Sequence, residues 1–495
     1  MNVNALLLLP IVFPILTGAA IPLLNFKDGR KRTIYVVATA IINSLIIVAL
    51  CDLLSQSASF TVFWLSSEMP ICLRLDGMGR VFACLIAFLW PIACCYASQY
   101  MKHEGKENTF FSFYMMTYGV TVGVSFAANV ITMYFFYEFL TLVTLPIVMH
   151  GMKKKNLYAG RKYVLYSIGG AAFAFLGMIV FSTYCGETWF KLGGIIDSSL
   201  PERQREILLV VYLFAVFGFG VKAAIFPFHG WLPTASVAPT PVTALLHAVA
   251  VVNSGAFAII RITYYSFGTE FLRGTWVQYV VMAAAMITIL YGSGMALKEQ
   301  HFKRRLAYST ISNLSYMILG ASFMTPEGMV GSLAHMICHG LIKITLFYVA
   351  GTVLFQTGKN YVNDLFGFGK KMPITFGCFT VASAALIGVP ATAGFISKWN
   401  LITASASNDI PFAWVGIVVL LISAVLTSMY LLSIVIKVYF PGPGFDIKMI
   451  EHVEEPHGYA MKAPMVILCI TIVFLGMFST PLIEYLEKIA FGFWR

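Results

Sequence analysis

Seven ionisable side chains lie in apolar stretches of this sequence, and their types suit proton transfer. They are one glutamate, three lysines and three histidines: Glu138, Lys222, Lys343, Lys398, His247, His335 and His339. An ionisable group in the centre of a bilayer costs at least about 2.5 kcal/mol, so such groups usually mark an ion or proton path. The set therefore predicts a buried route for protons.

Three of these residues have a spacing that adds to the prediction. His335, His339 and Lys343 recur every fourth residue, which places them on one face of a helix. Neutral histidine can accept a proton on one ring nitrogen and release one from the other near pH 7. Three titratable groups on one stripe favour a polar pathway over chance packing.

Each of the other residues also has a structural interpretation. The lysine stems of Lys222 and Lys398 could carry the charge outward to the end of a helix. Glu138 could accept a hydrogen bond from a serine or threonine of a neighbouring helix. His247, taken alone, fits a hydrogen-bonded structural histidine as well as a relay. The sequence leaves these alternatives open.

The composition predicts membrane helices as the elements that position these residues. Of the 495 residues, 59% are hydrophobic and 11% are charged, against roughly 25% charged in a soluble domain. Apolar runs of about 20 residues are each long enough to cross a bilayer. They predict an all-α polytopic membrane protein with fourteen transmembrane helices. The first helix is expected to be retained and not cleaved as a signal peptide. The predicted spans are 5–24, 33–54, 79–100, 109–127, 129–151, 162–184, 208–228, 241–265, 276–298, 306–325, 328–356, 374–403, 411–440 and 464–487.

The net charge of +11 is explained by the bilayer and does not indicate nucleic acid, because the basic residues are scattered among short loops. With the N-terminus outside, most of them fall in inner loops, as the positive-inside rule expects. Both termini are then expected outside. Lys303 and Arg305 are assigned to an inner loop, whereas Arg261 and Arg495 are assigned to the outer side.

Two predicted helices contain residues that should interrupt them. Pro227 follows Lys222 by five residues, and Pro390 and Gly394 precede Lys398. Proline breaks a helix, and a pair of interrupted helices at matching places is typical of inverted-repeat transporters. We therefore expect residues 1–108 to form helices 1–3, and 441–495 a loop and helix 14. Between them, 109–265 and 276–440 should form two inverted five-helix repeats, helices 4–8 and 9–13, with helices 7 and 12 broken.

Four motifs carry a resemblance to a known family. They are KAAIFPFHGWLPTASVAPTPVTALLHAVAVVNSGAFAIIR (222–261), FKRRLAYSTISNLSYM (302–317), LAHMICHGLIKITLFYVAG (333–351) and GVPATAGFISKW (388–399). In order and spacing they resemble the antiporter-like membrane subunits of respiratory complex I (NADH:quinone oxidoreductase), the Mrp-type Na+/H+ antiporters and the membrane-bound nickel-iron hydrogenases. The resemblance covers nearly the whole chain, and it implies fourteen helices, two inverted repeats and a proton route at mid-membrane depth.

The resemblance also implies a role for each candidate residue. Glu138 would be the helix-five glutamate that pairs with the helix-seven Lys222, and Lys398 would stand at the outer exit. The central histidine and lysine positions that link the half-channels would be His247, His335, His339 and Lys343. Some members carry a helix-eight lysine where this chain has Asn253, so His247 is expected to carry the central relay here.

No cofactor or metal site is expected in this chain. Its nine cysteines form no CxxC pair, and no nucleotide-binding glycine motif is present, so energy should come from partner proteins. We therefore predict a proton-translocating, non-redox subunit of a multisubunit complex of hydrogenase or complex I type in a prokaryotic cell membrane. Its partners would be other membrane subunits and the lipid bilayer, and its ion H+, with transport of Na+ left open by the sequence. The alternative is a subunit of an Mrp-type Na+/H+ antiporter with no redox partner.

Overall fold

The computed structural model describes residues 3–55, 57–66, 69–186, 188–197, 200–442 and 445–492, so Arg495, assigned above to the outer side, lies outside the described residues. In the first half the helices are α1 (Leu9–Leu24), α2 (Gly29–Leu53), α3 (Gly77–Tyr100), α4 (Glu107–Ser125), α5 (Val130–Val148), α6 (Lys154–Cys185), α7 (Glu202–Gly220), α8 (Trp231–Ala235), α9 (Thr240–Ala248) and α10 (Val251–Arg261). In the second half they are α11 (Thr269–Leu272), α12 (Trp276–Lys298), α13 (Phe302–Ser322), α14 (Pro326–Thr357), α15 (Pro373–Ile387), α16 (Ala393–Ala406), α17 (Ala413–Tyr439), α18 (Lys462–Met477) and α19 (Thr480–Ala490).

Helices lie at each of the fourteen predicted places, but they differ in how apolar they are. Within the described ranges, nine helical segments are long and apolar enough to cross a membrane, and a tenth is obtained if α18 and α19 count as one span. That last pair is bent by 73°, so residues 464–487 do not form the single straight helix expected. The count of fourteen spans and the inverted repeats stay predictions.

The expectation of an all-α chain is wrong at one place. Strands β1 (Ser59–Ser66) and β2 (Met69–Arg74) form an antiparallel pair between α2 and α3, in which Ser59 pairs with Arg74. The segment SFTVFWLS is rich in β-branched and aromatic residues, which favour a pleated strand. The backbone N–H of Cys72 donates to the Thr132 hydroxyl at 2.8 Å, which fastens the hairpin to the start of α5.

The first interrupted helix breaks earlier than the proline predicts. Helix α7 ends at Gly220, and residues 221–227 form turns before a short 3-10 segment, Phe228–Gly230, leads into α8. Lys222 therefore lies in the break and not inside a helix, which corrects the sequence-based placement. Non-helical backbone at membrane depth requires partners within the protein.

The second interruption lies where the sequence places it. Helix α15 ends before Gly388, which has a φ of +99°, and α16 begins at Ala393. Lys398 is in the second turn of α16, beyond the break and not within it. A third break, which the sequence analysis does not predict, separates α9 from α10 at Val249 and Ala250.

Helix α14 forms the centre of the bundle. It runs unbroken for 32 residues and packs against α9, α13, α15, α16, α18 and α3. Within its 18-residue apolar stretch 89% of the residues are buried, compared with 33% in the corresponding stretch of α2 and 39% in that of α17. The stripe of His335, His339 and Lys343 thus lies on a long helix that is almost wholly enclosed by its neighbours.

Candidate functional site

Glu138 and Lys222, which the sequence analysis pairs, are neighbours in the structure. The Lys222 Nζ atom lies 3.5 Å from the Glu138 Oε1 atom. It also donates a hydrogen bond to the Tyr137 carbonyl oxygen and lies 3.4 Å from the centre of the Tyr137 ring. The Lys222 side chain is fully buried, so its amine does not extend outward to the surface. The Glu138 side chain is 26% exposed. A buried ammonium thus has a carboxylate and an aromatic face beside it.

Two side chains hold the non-helical backbone that carries Lys222. The Tyr137 hydroxyl donates to the Phe219 carbonyl oxygen at 2.9 Å, and Trp231 Nε1 donates to the Val221 carbonyl oxygen at 2.8 Å. Carbonyls at a helix end have no intrahelical donor, so a buried end needs such partners. Tyr137 therefore contacts both the lysine and the break, a double contact that the sequence analysis missed.

His247 is buried beside the break between α9 and α10. Its ring lies 4.6 Å from the Phe347 ring, measured between centroids. Neither ring nitrogen has a hydrogen-bond partner among the described residues. Its carbonyl oxygen accepts a hydrogen bond from His339 Nε2 at 3.2 Å. The histidines of α9 and α14 therefore meet through backbone and not through their rings.

The two histidines of α14 lie one above the other on the same helix face. Their ring centroids are 6.2 Å apart. His335 Nδ1 lies 3.0 Å from the Ser397 hydroxyl on α16. The other two ring nitrogens, His335 Nε2 and His339 Nδ1, have no hydrogen-bond partner within the described part of the chain. Buried nitrogens of this kind are suited to water-mediated transfer.

Lys343 continues the stripe toward α13. Its Nζ atom donates to the Ser309 hydroxyl and lies 3.5 Å from the Leu306 carbonyl oxygen. The side chain is fully buried, and none of the ion pairs of the described residues includes it. Lys343 therefore differs from Lys222, whose charge is matched by a carboxylate.

Lys398 turns back toward the C-terminal end of α15. Its Nζ atom donates to the carbonyl oxygens of Leu386 at 2.6 Å and Ile387 at 3.0 Å, where the helix dipole favours a positive charge. It also lies 5.3 Å from the centre of the Tyr316 ring, which stacks on the His335 ring at 5.1 Å. Tyr316 thus stands between the lysine and the histidine, another contact that the sequence analysis missed.

The seven candidates form a pair and a connected group. His335 is linked to Lys398 through Tyr316 and to α16 through Ser397, and His339 is linked to His247. Glu138 and Lys222 stand apart, since no hydrogen bond or ion pair among the described residues joins Lys222 to His247. Water or motion would have to complete a route between them.

Several charged residues that the sequence analysis assigns to loops are buried in helices. Arg261 is the last residue of α10, is fully buried and donates to both carboxylate oxygens of Asp76, at 2.7 and 2.6 Å. Lys303 and Arg305 lie in the first turn of α13 and are buried, with Lys303 Nζ donating to the Ala238 carbonyl oxygen at 2.9 Å. The partners of Arg261 and Lys303 are distant in sequence, so no local pattern indicates them.

With this geometry in place, comparison with known proteins gives the family. Residues 127–427 match the family described as "NADH:quinone oxidoreductase/Mrp antiporter, TM". The chain belongs to this family. Membership confirms the resemblance drawn from the four motifs, and it makes the chain a multi-pass integral membrane protein of the antiporter-like type.

Curated relatives come from both branches named in the family description. The chain is 29% identical to the N subunit of the NADH-quinone oxidoreductase of Desulforudis audaxviator over 434 residues, which cover 86% of this chain and 85% of the relative. It is 30% identical over 408 residues to a probable K(+)/H(+) antiporter subunit of Rhizobium meliloti, covering 82% of this chain and 40% of that longer protein.

Solved structures share the fold over the whole chain. A chain of the Mrp complex from Dietzia sp. DQ12-45-1b superposes with a TM-score of 0.86 at 18% identity, covering 100% of this chain and 98% of that one. A chain of the membrane-bound sulfane sulfur reductase, an archaeal respiratory membrane complex, gives 0.85 at 20% identity, covering 99% and 97%. At these identities the likeness concerns the fold alone.

Proposed function

We propose that this chain is the proton-translocating, antiporter-like subunit of a multisubunit energy-converting membrane complex of hydrogenase or complex I type in a prokaryotic cell membrane. Protons would move along Glu138, Lys222, His247, His335, His339, Lys343 and Lys398. The observation that carries the proposal is the fully buried Lys222 amine 3.5 Å from the Glu138 carboxylate.

The geometry suits a switch at this pair. A carboxylate beside a buried ammonium stabilises its charge, and moving the carboxylate away leaves the charge without compensation. Lys222 lies in a break whose backbone is held by two side-chain hydrogen bonds, so a small rearrangement there would change the distance to Glu138. A signal from a partner protein that moves this break would then drive the proton onward.

The central group would carry the proton between the two proposed inverted repeats, 109–265 and 276–440. Lys343 has hydroxyl and carbonyl acceptors in place of a carboxylate. Within the stripe the rings of His335 and His339 are neighbours, and the Tyr316 ring connects His335 to Lys398. Lys398, whose amine contacts the C-terminal end of α15, would release the proton to the outer side, and both chain termini would face that side.

The pair is tested by Glu138→Gln and Lys222→Ala in the assembled complex. Glutamine keeps the side-chain volume of glutamate but loses its charge, so assembly should be retained. Turnover should fall about tenfold or more, which corresponds to roughly 1.4 kcal/mol in the activation barrier. Coupled transport is measured in vesicles with a pH-sensitive dye. Near-normal transport in either variant would reject the pair as the switch.

Glu107→Gln provides a matched control. Glu107 also pairs with a mostly buried cation, Arg32, and its side chain is 20% exposed, close to the 26% of Glu138. It lies outside the proposed route. We expect Glu107→Gln to leave transport per assembled complex unchanged, with the yield of complex measured for both variants.

The alternative function is that of a subunit of an Mrp-type cation/proton antiporter without a redox partner. The similarity to the antiporter protein of Rhizobium meliloti supports it. The two functions differ in energy source. Exchange of Na+ or K+ for H+ in vesicles that receive no electron donor would favour the antiporter, whereas proton uptake that requires a donor would favour the redox complex. Neighbouring genes for nickel-iron and iron-sulfur subunits would also favour the latter.

A further inference from the structure

Two cavities meet at Arg80, away from the proposed proton route. The first, of about 580 Å³, lies beside the end of α2 and the start of α3 and has charged lining residues. The second, of about 270 Å³, is lined by apolar side chains of α3, α14, α18 and α19, among them Cys84, Leu341 and Leu482. Arg80 lines both cavities, so a charged compartment and an apolar compartment adjoin at one side chain.

Positive charge dominates the first cavity. Arg74, Arg80 and Lys191 line it, together with one carboxylate, Asp76. That carboxylate already accepts two hydrogen bonds from Arg261 and also lies 3.6 Å from the Arg74 guanidinium, so it is shared between two arginines. The cavity therefore presents more positive charge than its lining carboxylate can balance.

Arg80 and Lys191 have no carboxylate partner among the described residues. The Arg80 guanidinium donates to two neutral acceptors, the carbonyl oxygens of Leu54 at 2.6 Å and Leu75 at 3.3 Å. An uncompensated guanidinium beside a cavity is suited to binding phosphate oxygens.

The position along the helices matches the depth of a lipid headgroup. Helix α2 ends at Leu53 and α3 begins at Gly77, so the charged cavity lies where the helices leave the hydrocarbon core. The apolar cavity extends from it along α3. Arginine and lysine side chains at this depth can bind the phosphate of an anionic headgroup.

We propose that the two cavities together bind one anionic phospholipid. Its phosphate-bearing headgroup lies against Arg74, Arg80 and Lys191, and one acyl chain fills the apolar cavity beside Cys84. The excess positive charge disfavours a headgroup that carries its own ammonium, because like charges repel. This site goes beyond the proposed function and does not depend on it.

The charge requirement is tested by native mass spectrometry of the purified full chain. Dioleoyl phosphatidylglycerol should bind more tightly than dioleoyl phosphatidylcholine. Lys191→Gln and Arg80→Gln should each weaken phosphatidylglycerol binding by about tenfold, the expected loss for one charged hydrogen bond. Lys359→Gln, an exposed lysine elsewhere, is the control and should bind normally. Lys191 is exposed and contributes its backbone N–H to the fold, so its variant tests the charge even if Arg80→Gln fails to fold.

The acyl compartment is tested by Cys84→Trp, which fills the apolar cavity and leaves every charge in place. Phosphatidylglycerol binding should fall, whereas Val418→Trp on the exposed face of α17 should leave it unchanged. Equal affinity for the two lipids, or normal binding in both charge variants, would overturn the proposal. Normal binding in Cys84→Trp together with full displacement by inorganic phosphate would identify a free-anion site, which also overturns it.

Discussion

At the scale of single residues, the buried lysines differ in what compensates their charge. Lys222 has a carboxylate at 3.5 Å, whereas the acceptors of Lys343 and Lys398 are hydroxyl and carbonyl oxygens. Replacing one member of a charge pair leaves the other unpaired, but replacing a lysine held by neutral acceptors does not. Substitutions at Lys222 and Lys343 should therefore differ in their effect on stability.

Lys343→Met tests the proposed relay on α14. Methionine fills a similar volume without carrying a proton, so we expect transport per assembled complex to be lost and yield to be retained. His339→Gln should slow transport less, because glutamine and a bound water can still form a hydrogen-bonded chain. Activity and melting temperature are measured on the same preparation.

Lys303→Met is the control for Lys343→Met. Lys303 is also a buried lysine whose amine donates to a carbonyl oxygen, but it lies outside the proposed stripe. We expect it to change stability without abolishing transport. Unchanged specific activity in Lys343→Met would reject the relay, and a lowered melting temperature alone would show that the stripe only holds helices together.

Asp76→Asn should destabilise the fold. It leaves the fully buried Arg261 without its carboxylate, and losing one member of a buried ion pair costs about 3–5 kcal/mol. Thermal unfolding of the purified chain measures the loss. Asp409→Asn is the comparison, because Asp409 pairs with Arg273 at the surface and exposed pairs contribute little. Equal melting temperatures for the two variants would contradict this account.

At the scale of elements, the sequence predicts two interrupted helices but misses the break between α9 and α10. It places the second interruption correctly and the first too late: proline signals mark both, yet α7 ends at Gly220, seven residues before Pro227. The carbonyls of Phe219 and Val221 there also accept hydrogen bonds from the side chains of Tyr137 and Trp231. Tyr137 is 82 residues away from its acceptor, so no local pattern could place the break.

Gly388→Ala tests whether the second break positions Lys398. Gly388 has a φ of +99°, and a Cβ atom there would lie 3.1 Å from the Lys398 Cδ atom. Alanine should therefore cost about 1–2 kcal/mol in backbone strain and also displace the amine from the carbonyls of Leu386 and Ile387. We expect lower stability and lower transport per assembled complex.

Gly358→Ala separates the two effects of Gly388→Ala. Gly358 also has a positive φ, +69°, but an added Cβ atom would meet nothing within 4 Å. Gly358→Ala should therefore lower stability through backbone strain but leave transport per assembled complex unchanged. If both variants lose transport equally, strain alone is responsible and the contact with Lys398 is not.

At the scale of the whole molecule, burial separates a central group of helices from a perimeter. The most apolar window of Thr240–Phe267 is 100% buried and that of α14 is 89% buried, whereas α2 and α17 leave most of their windows uncovered. All of the candidate residues of α9 and α14 lie in the central group. The exposed apolar faces of the perimeter are where lipid or partner subunits would lie.

The sequence predicts the membrane class because apolar length is a local signal, whereas the pairing of Glu138 with Lys222 is implied by the resemblance to the family. It misses the contacts of Tyr137 and Tyr316, since an aromatic residue in an apolar helix looks like any other core residue. It also places Arg261 in a loop, because its partner Asp76 is 185 residues away. Local sequence patterns carry no information about contacts between residues that are far apart in the chain.

The purified chain on its own should transport little or nothing. The proposed route contains groups that can carry protons, but the sequence has no motif for nucleotide, metal or electron transfer that would supply energy, so the driving step should belong to a partner. The test reconstitutes the chain into liposomes with Na+, K+ and pH gradients and follows an internal pH-sensitive dye, with the complex purified from the same cells as the positive control. We expect the dye response of the chain to match that of empty liposomes while the complex responds to its substrate. Robust cation/proton exchange by the single chain would contradict this expectation and identify a transporter that works alone.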